Sequence, residues 1–325
     1  MRVHFEISPR ARSSQQLNEE QSRAVLGEVL GQLDGLECSF NVDPARTDFY
    51  LADAEVLVVA GPVELADLSQ RGPKLKWVQL CSAGVEREVG HIPKYVELTN
   101  VRGVHSAQAG EFSIMALLML NNRIPTYATQ QRNREWRQLP AATVDGKTVA
   151  VMGLGALGGA CAEWSQKLGL RVIGVTRSGQ PHTYADEVLT FAAVQDAFRR
   201  SDFVIIALPS TNETRGCIGR AELDSLPRHA GVVNIGRADV LDHSALVTKL
   251  REGSLSGAVL DVFDQEPLPA GSELWSVPNL FITPHCGLDH PDNFGIRCLQ
   301  IFARNLEQYR TGRPLLTPVN IDLGY

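Results

Sequence analysis

Residues 147 to 159 read KTVAVMGLGALGG, a short apolar run that passes into three glycines spaced G-x-G-x-x-G: Gly153, Gly155 and Gly158. Such a turn suits a dinucleotide. The first glycine permits a tight turn, the second lets backbone approach a pyrophosphate, and the third lets the following helix pack closely on the strand. The amides that open the helix, those of Ala156 and Leu157 among them, then point at the phosphates. With 28 glycines in 325 residues, chance supplies roughly 0.2 such patterns per chain, so the flanking sequence has to carry the reading. Residues 148–152 read as a strand, 156–168 as a helix and 170–175 as the next strand, which is a complete βαβ unit.

Composition sets the class. A chain of 325 residues with 44% hydrophobic content buries a large core and predicts two domains. A net charge of -6 argues against a nucleic-acid surface, which needs clustered Lys and Arg; a small molecule is the expected partner. Cys38, Cys81, Cys161, Cys217, Cys286 and Cys298 are scattered without C-x-x-C pairs, so neither a metal site nor a disulfide framework is expected. The N-terminal MRVHFEI reads as a strand, without the apolar core of a secretion signal. Arg10, Arg12, Ser13 and Ser14 have the composition of a transit peptide, but their removal would delete that strand. The longest apolar run, 114–120, is too short to span a bilayer. A soluble, cytoplasmic protein is expected.

Upstream of the glycines, strand-like stretches at 3–7, 36–40, 54–60 and 75–80 alternate with helix-like ones at 16–33 and 63–69, the pattern of a parallel sheet covered by helices. An α/β domain therefore precedes the dinucleotide motif. Ser82-Ala83-Gly84-Val85 follows its last strand, where the successive amides of Ala83, Gly84 and Val85 would hold an anion such as a carboxylate; an ordinary turn is the other reading. The stretch 106–123 has the composition of a buried helix, apolar on nearly all sides at Leu117, Leu118, Met119 and Leu120, and is expected to cross between domains. Arg132, Arg134 and Arg137 beside Trp136 read as a solvated helix or a subunit arm. Four more strands are expected at 203–207, 231–235, 256–260 and 280–283, which extends the second sheet to at least six. Pro267, Pro269, Gly271 and Pro278 mark the loop before the last of them. A final helix, from about 291 to 309, sets Leu299, Phe302, Leu306 and Tyr309 three and four apart and is expected to return to the first domain.

Dinucleotide folds that use NAD place an acid at the end of the second strand to bind the ribose hydroxyls. Here that place reads Val175-Thr176-Arg177-Ser178, and no Asp or Glu occurs between Glu163 and Asp186. Arg177, with the hydroxyls of Thr176 and Ser178, would instead bind a 2'-phosphate. NADP (as NADPH) is the expected cofactor, with NAD as the alternative.

Three later segments put polar groups at or just past strand ends, where open α/β sheets bind ligands: VVNIGRADVLD, VLDVFDQEPLP and FITPHCG. They supply Arg237, Glu266 and His285, with Asp261 at the end of its strand. Together with LKWVQLCSAGVE, the LTN at 98–100 and ALPSTNETRGCI, these segments resemble the D-isomer-specific 2-hydroxyacid dehydrogenases of the glyoxylate and hydroxypyruvate reductase type. The likeness extends over most of residues 75 to 285.

That resemblance implies an α/β fold of two Rossmann-like or flavodoxin-like domains with a cleft between them. Residues 1–102 with 291–325 would form a discontinuous substrate-binding domain, and 103–290 the dinucleotide-binding domain. It also implies roles. Arg237 would bind the carboxylate of a small 2-oxo acid and polarise its carbonyl, His285 would protonate the carbonyl oxygen as hydride arrives, and Glu266 would orient the imidazole and favour its protonated form. The amides of Ala83, Gly84 and Val85 would hold the same carboxylate. Pro209, Thr214, Ile235, Asp261 and Gly287 resemble further cofactor contacts, and a homodimer is implied. Ala238 and Glu86 stand where the family often has Gly and Asp, which removes no chemical group from the mechanism; His290 receives no role. A non-catalytic NADP(H)-binding regulator on the same fold, or a phosphite or formate-type dehydrogenase, are the alternatives, although the formate enzymes use Gln in place of Glu266.

Overall fold

The computed structural model describes residues 1–11, 16–31, 35–290 and 293–323. Arg12, Ser13 and Ser14, the end of the expected first helix at Leu33 and the expected start of the last helix at Pro291 lie outside the described residues. The described chain contains strands β1 (Arg2–Ile7), β2 (Glu37–Asn41), β3 (Val56–Ala60), β4 (Trp77–Leu80), β5 (Glu97–Thr99), β6 (Thr148–Met152), β7 (Arg171–Thr176), β8 (Glu187–Thr190), β9 (Phe203–Ile206), β10 (Gly231–Asn234), β11 (Gly257–Leu260) and β12 (Leu280–Ile282). They form two sheets, β2-β1-β3-β4-β5 and β12-β11-β10-β9-β6-β7-β8, in which every pairing is parallel. The chain divides into two compact units, Met1–Val104 with His290–Tyr325, and His105–Asp289.

The first unit has the strand order 2-1-3-4-5 of flavodoxin-like sheets. Alternation along β1 and β3 sorts the core. Val3, Phe5, Ile7, Val56 and Val58 join Trp77 and the apolar stripe of the last helix, Phe294–Arg310, on one face. Leu57, Val59, Val78 and Leu80 pack on the other. Trp77 meets the rings of Phe302 and Tyr309 at 5.3 and 5.2 Å. His4 and Glu6 fall on the second face of β1 and are buried. A buried carboxylate needs partners, and Glu6 has them: the amide of Asn41 at 3.0 Å, the hydroxyl of Thr47 at 2.9 Å and the imidazole of His4 at 2.9 Å.

In the second unit the order, read from the opposite edge, is β8-β7-β6-β9-β10-β11-β12. This is the doubly wound arrangement with one added strand, and it reverses direction between β6 and β9. Val149, Val151, Ile205 and Val233 face one layer of helices, and Ala150, Met152, Ile206 and Val232 face the other.

Three expectations change. The strands β5 and β8 were not foreseen, and of the stretch 63–69 only its last two residues, Leu68 and Ser69, are helical, opening the short helix Leu68–Arg71. The helix Ser106–Asn121 is not apolar on every covered side: Leu117 and Leu120 are buried, but Met115 and Leu118 are 41% and 37% exposed. It lies wholly within the second unit and packs on the helix Ala156–Lys167. No helix among the described residues is long and apolar enough to cross a membrane. All six cysteines are free thiols.

Candidate active site

The glycine turn leaves β6 at the point where the sheet reverses. Gly153 adopts φ 85°, a left-handed conformation suited to glycine, and a methyl there would lie 3.0 Å from Leu208 Cδ2 and 3.1 Å from the carbonyl oxygen of Ala207. A methyl on Gly158 would overlap that of Gly153, so its absence lets the helix Ala156–Lys167 rest on the turn. Gly155 differs from both. It is the N-cap of that helix, no side chain caps the amides that follow, and a methyl on it would meet nothing within 4 Å. Two glycines are thus required by the protein's own packing, and the third opens on vacant space beside uncapped amides of Ala156 and Leu157. A pyrophosphate fits that arrangement.

Loops beyond β7 and β9 flank the turn. Arg177 follows β7, half-exposed, with Nη1 at 4.0 Å from Glu213 Oε2. Thr176 Oγ1 accepts from the amide of Gly179 at 3.0 Å, which leaves its own proton to donate; Ser178 Oγ accepts from Gln180 at 3.4 Å. After β9, the hydroxyl of Thr214 donates to the carbonyl oxygen of Pro209 at 2.6 Å and accepts from the amide of Thr211 at 2.9 Å, closing the loop 209–214 on itself. Glu213 is an acid that spacing along the chain does not bring to Arg177; only the adjacency of β7 and β9 to β6 does.

Arg237, Glu266 and His285 stand after β10, β11 and β12. Asn234, fully buried at the end of β10, donates to the carbonyl oxygen of Arg237 at 3.0 Å and accepts from Gly236 N at 3.0 Å, which fixes the turn that presents the guanidinium. His285 Nδ1 lies 2.6 Å from Glu266 Oε2, while Glu266 Oε1 accepts from the amide of Phe263 at 2.9 Å. The carboxylate is thereby held at both oxygens. The imidazole keeps 45% of its surface exposed and the carboxylate 34%, so the pair is open to a ligand.

Asp261, buried at the end of β11, organises the turn that carries His285. Its Oδ1 accepts from Thr283 Oγ1 at 2.6 Å and from the amides of Cys286 and Gly287 at 3.2 and 3.0 Å. Burial pushes its carboxyl above the ordinary value, against the opposing pull of those donors and of His285. His105 joins the same group: its Nδ1 is 2.7 Å from the carbonyl oxygen of Leu288. Burial drives its pKa down, and the charges of His285 and Arg237 act on it in the same direction. Ile235 is buried behind Arg237, and Gly287 abuts Phe112. His105 and Asn234 escaped the reading of the sequence because their partners identify them, not their own neighbours.

In the first unit, the loop after β4 turns its carbonyls inward. Val101 N donates to Ser82 O at 3.2 Å, Asn100 Nδ2 to Ala83 O at 2.7 Å, and Ser82 Oγ to Gly84 O at 2.9 Å. Among the described residues, no protein acceptor takes the amides of Ala83, Gly84 or Val85. His290, given no role, accepts from the amide of Asn293 at 3.3 Å near the start of the last helix.

Comparison with known proteins fits this geometry. The family model for the NAD-binding domain of D-isomer specific 2-hydroxyacid dehydrogenases matches residues 114–287. The chain belongs to the D-isomer specific 2-hydroxyacid dehydrogenase family. It is 32% identical to a glyoxylate reductase of Thermococcus gammatolerans, over 69% of this chain and 70% of the relative. It is 31% identical to a hydroxyphenylpyruvate reductase of Plectranthus scutellarioides, over 85% and 90%. Among solved structures, an NADPH-dependent glyoxylate/hydroxypyruvate reductase of Sinorhizobium meliloti, in complex with NADP and sulfate, superposes over 100% of both chains with a TM-score of 0.81 and 27% identity. The protein is thus an NAD(P)-dependent D-2-hydroxyacid dehydrogenase.

Proposed function

We propose that the enzyme reduces a small 2-oxo acid, of the size of glyoxylate or hydroxypyruvate, to the D-2-hydroxy acid with NADPH as the preferred cofactor. The observation that carries this reading is the 2.6 Å His285–Glu266 pair at the strand ends downstream of the dinucleotide turn. A dinucleotide held by the turn of Gly153, Gly155 and Gly158 would supply the hydride for the carbonyl carbon. Glu266 accepts from Nδ1 of His285, which leaves Nε2 to give its proton to the carbonyl oxygen. Arg237 offers a planar fork to the carboxylate and polarises the adjacent carbonyl. The amides of Ala83, Gly84 and Val85 serve no protein acceptor among the described residues and are donors of the kind that a carboxylate takes. In cofactor choice, Arg177 provides the cation that a 2'-phosphate needs, and no acid ends β7.

We further infer a homodimer. Trp136 is 94% exposed, and Met115, Leu118 and Ile124 of the same unit are also exposed, an apolar set suited to a second copy. Light scattering on the purified protein tests this; a monomer at micromolar concentration would refute it.

The activity is tested by steady-state kinetics on glyoxylate, hydroxypyruvate, pyruvate and phenylpyruvate with NADPH and with NADH. The highest kcat/KM is expected for a two- or three-carbon acid with NADPH. Binding of NADPH without turnover of any 2-oxo acid would instead favour the regulatory alternative.

A further inference from the structure

His105 opens the second unit as the N-cap residue of the helix Ser106–Asn121, and Leu288 stands near that unit's end. A carbonyl oxygen only accepts, so at 2.7 Å the Nδ1 of His105 carries the proton and donates it to Leu288. Burial, with the neighbouring charges of His285 and Arg237, holds the ring's pKa below its ordinary value against the opposing influence of the Leu288 carbonyl and Asp289.

The same helix touches the site at two further places. Ser106 Oγ donates at 3.2 Å to the carbonyl oxygen of Ala156, the first residue of the helix that follows the glycine turn. Phe112 fills the space before Gly287, where a methyl would lie 2.6 Å from its Cδ2. One helix end is therefore joined on one side to the dinucleotide cradle and on the other to the turn 285–288. Asp261 grips this turn as far as the amide of Gly287; the next carbonyl, Leu288, is held by His105.

We propose that His105 is a positioning residue for the proton transfer: its Nδ1–H bond to Leu288 fixes the turn carrying His285 at a set distance from the dinucleotide cradle. This rests on the proposed role of His285. A misplacement of about 1 Å at a reacting group costs on the order of 100-fold in rate, so a turn gripped from one side alone suffices to lower turnover without touching cofactor or substrate.

Three substitutions separate this role from a structural one. Asn sets an amide N–H near the place of Nδ1, Gln sets its own near Nε2, and Phe keeps the ring's bulk without any donor. His105→Phe and His105→Gln are expected to lower kcat for 2-oxo acid reduction by about tenfold or more, equivalent to about 1.4 kcal/mol, with KM for NADPH within about twofold. His105→Asn is expected to restore kcat to within about threefold of wild type. Full kcat in the Phe variant, or equal impairment in Asn and Phe, would overturn the proposal. So would a lowered Tm with unchanged kcat per NADPH-binding site. If the Phe variant does not fold, the Asn and Gln pair decides. His285→Ala is run beside them: normal turnover there would defeat the reading of the site itself, whereas its loss, with wild-type kcat in the Phe variant, would defeat only the role of His105.

Discussion

Replacing Gly158 and Gly155 with alanine, in separate variants, is expected to give opposite results, although both belong to one motif. At Gly158 the added methyl overlaps the carbonyl oxygen of Gly153 and lies 2.9 Å from its carbonyl carbon and 3.3 Å from Val151 Cγ1. The obstruction is backbone and core, so the helix Ala156–Lys167 must lift off the strand. Overpacking of this kind costs about 1–3 kcal/mol, and the upper end applies where nothing flexible can yield. For a domain of this size that is a fall in Tm of roughly 5–10 °C, present before any cofactor is added. At Gly155 the backbone is extended, φ -70° and ψ -161°, and the methyl meets nothing within 4 Å. Alanine adopts that conformation and restricts the unfolded chain, which contributes about 0.4–1 kcal/mol. The ligand-free Tm should hold or rise slightly.

The cofactor reverses the order of interest. The methyl of Gly155→Ala stands where the pyrophosphate passes, and NADPH affinity should fall about 10- to 100-fold, or about 1.4–2.8 kcal/mol. Thermal melts with and without NADPH, together with a fluorescence titration, separate the two effects. At 100 times the wild-type Kd, the wild type gains about 2.7 kcal/mol from the ligand, and the Gly155 variant about half of that or less. Wild-type affinity in Gly155→Ala would refute the placement of the pyrophosphate. An unchanged ligand-free Tm in Gly158→Ala would refute the packing argument.

Other expectations concern single side chains. Arg177→Asp removes the cation offered to the 2'-phosphate and leaves an acid beside Glu213; a charge-assisted contact is worth about 1.5–3 kcal/mol, so the NADPH to NADH ratio of kcat/KM should fall about tenfold or more, and an unchanged ratio would sink the assignment. Glu266→Gln removes the charge from a partly exposed pair, which places its cost near the low end of that range and its kcat about tenfold down; wild-type kcat would remove Glu266 from the mechanism. His105 has its native pKa below the ordinary 6.5, so between the two values the unfolded chain binds a proton that the native ring refuses. Stability is therefore lost as pH falls below about 6.5 toward the native value, and urea melts at pH 7.5 and 5.5 should show a smaller loss in His105→Asn; an equal loss would contradict the sign.

The sheets were legible where burial is two-sided and regular. The strand β6 and the helix after it follow directly from TVAVM and the glycines, and β10 and β11 from short apolar runs bounded by polar turns. The strand β8 was hidden because it lies at a sheet edge, half-covered along EVLT, with no contrast between its faces. In the helix Ser106–Asn121, the unbroken run around Leu117 cannot tell which apolar side chain the fold covers, and Leu118 turned out exposed. The residues offered to the ligand were easier to read than those that hold them. Arg237, Glu266 and His285 stand out as polar groups at strand ends, whereas His105 meets Leu288 across 183 residues and Glu213 meets Arg177 only because β7 and β9 flank β6.

Asp261 shows why that difference matters. As a residue at a strand end it reads as a ligand contact, yet its carboxylate is turned to Thr283, Cys286 and Gly287. The turn it holds places His285 at φ 49°, a conformation uncommon for any residue but glycine and costing about 1–3 kcal/mol. An ionised, buried carboxylate is itself costly: its raised native pKa means that it favours the fold only at acid pH and opposes it above the native value. The side chain therefore serves the geometry of the turn more than its stability. Asp261→Asn relieves the cost of the buried charge but can offer only one oxygen, and its amide nitrogen meets the amide of Gly287 donor to donor. At pH 7 the two stability effects oppose each other, and Tm should move by no more than about 3 °C, equivalent to about 1 kcal/mol. With its oxygen in the place of Oδ1, Asn keeps the bonds to Thr283, Cys286 and Gly287 but sets its nitrogen where Oδ2 meets the amide of Gly287 at 3.3 Å, which loosens the turn there, so kcat should fall by up to about tenfold. A steep fall in Tm with kcat preserved would show that Asp261 is kept for stability after all.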